Sequence, residues 1–163
     1  MIEVVVAHLG LDRTTNAPVV ILREKEGARM VPIWIGPSEA SAIAMELQGF
    51  KPPRPMTHDL LRQVLIGLGA DLQRVVVTAV KGNTYFAELH LRRGDDRVQV
   101  DARPSDGIAL AVRTHAPIFT SDELLAEADA APSGPVPEQR LDAEQLKRYL
   151  ENLDPEDFGK FQP

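Results

Sequence analysis

The sequence predicts an α+β fold: a compact mixed β-sheet domain with packed helices, followed by a C-terminal helical extension. Three observations predict it. β-branched runs of strand length sit beside apolar patterns at helical spacing. The order strand–strand–strand–helix occurs twice, about 65 residues apart, as in an internal duplication. A stretch rich in Pro, Ala, Ser and Gly then separates the last helical pattern from the rest.

The first unit opens with Glu3 to Ala7 and Pro18 to Leu22, both β-branched runs, joined by a polar stretch containing Thr14, Thr15 and Asn16. Glu24-Lys25-Glu26-Gly27 turns the chain into Met30 to Ile35, where Pro32 cannot donate to a ladder and so predicts an edge or a bulge. Gly36-Pro37-Ser38-Glu39 opens a helix with proline in its first turn, where the missing N–H is harmless. Ala40, Ile43, Ala44 and Leu47 follow at helical spacing, and Gly49 supplies the stop. The prolines of Lys51-Pro52-Pro53-Arg54-Pro55 make a stiff connector. A second helix is expected with Thr57 as its N-cap, turning Leu60, Leu61, Val64, Leu65 and Leu68 inward.

The second unit repeats the order. Leu72 to Val80 and Tyr85 to Leu91 are strands around a tight Gly82-Asn83 turn, and Gly94-Asp95-Asp96 leads into Val98 to Asp101. Arg103-Pro104-Ser105-Asp106 opens a helix carrying Ile108, Ala111 and Val112, in a position equivalent to Gly36-Pro37-Ser38-Glu39. Chance similarity of two proline-initiated helices is the alternative to duplication. After Ala116-Pro117-Ile118-Phe119, Ser121 can cap a short helix through Leu124 and Leu125. The organisation reads as a domain over residues 1–127, a linker over 128–139 and an acidic helical tail over 140–163, with Leu146, Tyr149, Leu150 and Leu153 on one stripe.

The net charge of −6 is unevenly spread. Residues 1–124 hold 14 Lys or Arg against 15 Asp or Glu, while residues 125–163 hold 4 against 9. The body is thus nearly neutral, which permits a local basic patch but does not predict long-range attraction to a duplex. The chain contains no cysteine, which excludes a disulfide framework, a zinc-thiolate site and a thiol nucleophile. It has no apolar run approaching the roughly 20 residues of a membrane span, and its first residues lack the features of a signal peptide. The expected location is the cytoplasm.

Polar residues gather at three junctions between apolar elements. Glu39 follows a helix start, which suits an anion or metal site, though a first-turn acid also complements the helix dipole. Arg54, between two prolines, can grip phosphate, and His58 can transfer a proton near neutral pH; alternatively Arg54 pairs with an acid, Thr57 caps, and Asp59 faces the dipole. Asp101, Arg103 and Asp106 can hold a divalent metal and a phosphate together, or neutralise one another. H-E-x-x-H, G-x-S-x-G and P-loop signatures are absent. His8, His90 and His115 read as structural, and Trp34, flanked by Ile33 and Ile35, reads as core. One of Tyr85 and Phe86 should be exposed, because neighbours on a strand face opposite ways.

The runs Pro32-Ile33-Trp34-Ile35-Gly36, Lys51-Pro52-Pro53-Arg54-Pro55-Met56-Thr57-His58-Asp59-Leu60 and Asp101-Ala102-Arg103-Pro104-Ser105-Asp106 closely resemble the motifs of the bifunctional nuclease domain family of bacteria and plants. The resemblance covers about residues 1–125, and the tail resembles the short acidic extension of some bacterial members. It implies a compact α+β fold with duplicated halves and nuclease activity on DNA and RNA. It brings no catalytic residues with it, so the assignments come from chemistry. His58, Asp59 and Asp106 are the candidate catalytic residues. Arg54, Arg103 and Ser105 are candidates for substrate binding, and Glu39, Asp101 and Asp106 for a divalent metal, Mg or Mn. Nucleic acid is the expected partner, together with a second copy of the chain in a homo-oligomer such as a dimer. The alternative is a noncatalytic binding or assembly module.

Overall fold

A computed structural model describes residues 1–82, 84–130 and 142–152. The first antiparallel meander comprises β1 (Ile2–Leu11), β2 (Pro18–Glu24) and β3 (Met30–Trp34), and is followed by α1 (Pro37–Leu47) and α2 (Thr57–Gly67). The second comprises β4 (Asp71–Lys81), β5 (Thr84–Arg93) and β6 (Asp96–Ala102), followed by α3 (Pro104–Thr114). β7 (Ile118–Thr120), α4 (Asp122–Ala130) and α5 (Ala143–Glu151) complete the described elements. The strands form one mixed sheet in the order β3-β2-β1-β7-β4-β5-β6. β7 lies between the meanders, antiparallel to β1 and parallel to β4. Each half is an antiparallel meander that leads into a proline-initiated helix. No helix among the described residues is long and apolar enough to cross a membrane.

The sheet follows from its residues. Pro32 sits on the edge strand β3 in register with Ile21, as expected, since an edge strand has an open side on which a missing N–H is tolerated. Gly94 takes φ 58° in the turn between β5 and β6, a left-handed conformation that a side chain would strain. Gly82 does the same at φ 54° after β4, and Asn83 of that expected turn lies outside the described residues. One core runs between sheet and helices: Val4, Val20, Leu22 and Ile33 from the first meander, Val75, Val77 and Leu89 from the second, with Ile43, Ile108, Leu110 and Leu125 from the helices. Ser121 caps α4 as expected, its Oγ accepting from the Leu124 N–H at 3.1 Å.

Several expectations change. α2 leaves Leu60, Leu61, Val64 and Leu68 exposed, and of its expected inward residues only Leu65 packs against the core. Periodicity identifies an apolar face but not what covers it. The N-cap of α2 is Met56 rather than Thr57, and Asp59 Oδ2 accepts the Met56 N–H at 3.0 Å. Trp34 is 47% exposed rather than core, because side chains alternate along β3 and the buried Val31 and Ile33 take the core-facing positions. Three residues, Ile118–Thr120, form a central strand that so short an apolar run did not announce. α4 also continues to Ala130, into the expected linker; the remainder of that linker and the residues after Asn152 lie outside the described set, as do the side chains of the expected α5 stripe.

Gly107 sets the depth of α3 on the sheet. A Cβ there would stand 2.8 Å from Cγ1 of the fully buried Val75. Glycine lets the helix sit close, and with it the Arg103 and Asp106 side chains of its first turn. Gly107→Ala gains about 1 kcal/mol of helix propensity but overpacks a filled site at about 1–3 kcal/mol. Urea unfolding should find the variant less stable, and Val75→Ala in the same chain should recover part of the loss. A more stable single variant would contradict the close approach.

Candidate functional site

Three helices begin near one another, and the third residue of each is acidic: Glu39 in α1, Asp59 in α2 and Asp106 in α3. Such acids are stabilised by the partial positive charge of a helix N-terminus. Here they also have specific partners. Arg103, the N-cap of α3, gives Nε to Asp106 Oδ2 at 2.7 Å and one terminal nitrogen to Asp106 Oδ1 at 3.1 Å. That terminal nitrogen also lies 2.9 Å from Glu39 Oε1. Gly36 makes room for Glu39, since a Cβ at that position would collide with its carboxylate.

His58 Nε2 lies 2.9 Å from Asp106 Oδ1. An ionised carboxylate only accepts, so Nε2 carries the proton and Nδ1 the lone pair. Burial pushes the Asp106 carboxyl up, but the bonds from His58 and Arg103 outweigh it and bring the group down to about 2. The second residue and the third of α2 therefore serve different ends of α3. His58 reaches Asp106, while Asp59 Oδ1 accepts from Arg113 Nε at 2.7 Å, two turns further along. Arg113 is nearly fully buried and also donates to the Ala109 carbonyl at 2.8 Å. Burial raises the Asp59 carboxyl, and the Arg113 bond and the Met56 N–H more than reverse it. Because α2 buries no residue fully, this ion pair fixes its start where apolar packing does not.

These side chains line a cleft of about 400 Å³. Ser38, Glu39, Met45, Met56, His58, Arg103 and Asp106 form its walls. With His58 neutral, two carboxylates face one guanidinium; a proton on His58 balances the charge. The chemistry available is proton transfer at His58, oriented by Asp106, beside a guanidinium suited to phosphate oxygens.

The candidate residues separate accordingly. Glu39, His58, Arg103 and Asp106 come together, and Asp59 joins them through its neighbour His58 and its strap to Arg113. Arg54 is exposed on the proline connector, without an ion-pair partner among the described residues. Ser105 is buried and lines a separate cleft that shares Arg103 with the first. Asp101 is exposed on β6, in register with Glu88, and does not line the cleft. Among the described residues, no group of three His, Asp or Glu side chains is disposed to hold an ion. A guanidinium stands between Glu39 and Asp106, so the residues present do not fit a metal in this arrangement. Sequence reasoning missed Arg113, although its spacing of seven from Asp106 puts both on one helical face. It also missed Met45 and Met56, which carry no signal of their own.

A family model described as the bifunctional nuclease domain matches residues 20–133. An uncharacterized protein of Mycobacterium tuberculosis is 40% identical over 162 residues, covering 96% of this chain and 97% of the relative. Bifunctional nuclease 2 of Arabidopsis thaliana is 28% identical over 106 residues, 63% of this chain and 32% of that protein. Bifunctional nuclease 1 of Oryza sativa subsp. japonica is 22% identical over 110 residues, 66% of this chain and 33% of that protein.

The Asp106 network has a pH signature. A carboxyl lowered in the folded state stabilises the fold above its unfolded value of 3.8 and loses that contribution as the pH falls toward 2. After allowance for solvent screening the contribution is roughly 1–2 kcal/mol. Asp106→Asn should therefore be less stable than the native chain by that amount at pH 7, and the gap should close between pH 4 and 2 in urea titrations. A gap independent of pH would contradict the assigned network.

Proposed function

The chain belongs to the bifunctional nuclease domain family, and on that premise we propose that it hydrolyses phosphodiester bonds of DNA or RNA in the cleft between α1, α2 and α3. The observation that carries the reading is the constellation of His58, Asp106, Arg103 and Glu39. His58 Nδ1 takes the proton of the attacking oxygen, which is water for DNA and water or the ribose 2′-hydroxyl for RNA. Asp106 holds the ring and stabilises the imidazolium that forms. Arg103 turns toward the phosphate and meets the charge that builds on its oxygens; Glu39 orients the guanidinium before substrate arrives. The leaving oxygen takes a proton from solvent. Arg54 binds a neighbouring phosphate from its stiff loop. We assign Asp59 to holding α2 and Ser105 to the adjoining cleft. Asp101 is left without a role in this scheme. A cytoplasmic location belongs to the same proposal.

A second reading, assembly, is favoured by a specific observation. Leu60, Leu61, Val64, Ile66 and Leu68 leave most of the apolar surface of α2 exposed, an arrangement that marks contact surfaces in soluble proteins. We propose that a second copy covers it in a homodimer, which is compatible with catalysis in each protomer. A noncatalytic module would keep the dimer and lack the cleavage.

Purified chain should cleave single-stranded DNA and RNA. His58→Ala and Asp106→Ala should each lower kcat by about 10²–10⁴, the first by loss of the general base and the second by loss of the group that orients it. Undiminished cleavage in both would remove the catalytic assignment. EDTA should leave the activity in place if Arg103 supplies the positive charge; loss with EDTA and return with Mg or Mn would restore Glu39 and Asp106 as metal ligands. Light scattering should give twice the monomer mass, and Leu60→Glu with Val64→Glu should halve it. A native chain that is monomeric at high concentration would remove the dimer.

A further inference from the structure

Trp34 is a large aromatic residue that the fold leaves 47% exposed. It is nevertheless held. Its indole N–H donates to Asp12 Oδ2 at 2.9 Å, and Asp12 is itself buried, its other oxygen accepting from the Thr14 and Thr15 N–H groups at 2.8 and 3.2 Å. A half-exposed indole with its edge pinned by a buried carboxylate is organised before any ligand arrives, so little ordering entropy remains to be lost on binding. One oxygen of Asp12 thus holds the β1–β2 turn and the other holds the indole, so the ring is tied to the turn itself.

The indole forms part of the wall of a cleft of about 340 Å³. Ile33, Ile35 and Tyr85 contribute apolar and aromatic surface, and Arg103 lines the cleft as well. Arg103 is the residue this cleft shares with the one holding His58 and Asp106. A ligand spanning both must therefore be flat and apolar at one end and anionic at the other, with the reacting group at the join. A nucleotide meets that description: base stacking on aromatic side chains is tolerant of sequence, and guanidinium recognises phosphate.

We infer that the Trp34–Tyr85 cleft is a nucleobase subsite, receiving the base next to the phosphate that Arg103 binds. The inference rests on the proposed action on nucleic acid and adds to it where the base goes and which residues hold it. Because recognition is by stacking, the subsite favours no base strongly and binds unpaired bases, which single-stranded substrates offer.

Trp34 is the one tryptophan of the chain, so its emission reports on this cleft alone. Titration of the full chain with AMP or UMP should quench it saturably. Adenosine should bind more weakly, and inorganic phosphate should compete with AMP without itself reproducing the quench. Trp34→Leu should weaken AMP binding roughly tenfold by calorimetry, as loss of one stacked base does, and should raise KM for cleavage more than it lowers kcat. Asp12→Asn keeps the ring and loosens its anchor, and should weaken AMP binding by a smaller factor. Saturable quenching by ribose 5-phosphate equal to that by AMP would overturn the subsite. So would emission that shifts with protein concentration and ignores nucleotide, which would mark Trp34 as a protein contact. Cleavage without quenching overturns the subsite and leaves the nuclease proposal standing. Quenching without cleavage does the reverse.

Discussion

The Arg103 guanidinium, held between Glu39 and Asp106, is the interaction on which the arrangement of the helices depends. Three helices begin close together, and each start carries roughly half a positive charge, so their convergence is unfavourable by itself. An acid at the third position of each helix offsets that repulsion. The acids would then repel one another, and two of them are drawn together by Arg103 while Arg113 takes the third. The chain of charges runs dipole, carboxylate, guanidinium, and every member needs the next.

This logic explains why α2 can sit where it does with so little of its surface covered. Its start is tied by polar bonds from His58 and Asp59 to α3, while most of its leucines face outward. An element held by few buried apolar contacts opens at lower free energy than the core beneath it. The cleft is thus formed between a rigid partner, α3, locked to the sheet through Gly107, and a looser one.

Much of this was legible in the sequence where local chemistry decides structure. β-branched runs gave the strands, Pro32 the edge, and Pro37 and Pro104 the starts of two helices. Glu39, His58, Arg103 and Asp106 of the cleft come from the polar junctions, while Arg54, Asp59 and Asp101 of the same junctions do not line it. What stayed hidden depended on distant partners. The face of α2 is apolar whether it meets a core or another molecule, and β7 is too short to show a period. Trp34 between two isoleucines looks like core until the strand is seen to turn Val31 and Ile33 inward and the indole to the other face. Asp101 and Asp106 belong to one motif yet part company, because the first still belongs to a strand and the second to a helix.

The three residues of β7 bear on how the chain is made. They come after both meanders in sequence and lie between them in the sheet. During synthesis each meander can form from its own neighbouring strands, but β1 and β4 keep a bare side until residue 118 has left the ribosome. Such open backbone edges readily pair with other chains. The nascent protein is thus most exposed to mispairing while the second meander is complete and its seam is still unmade, and ribosome release of one short segment ends that interval.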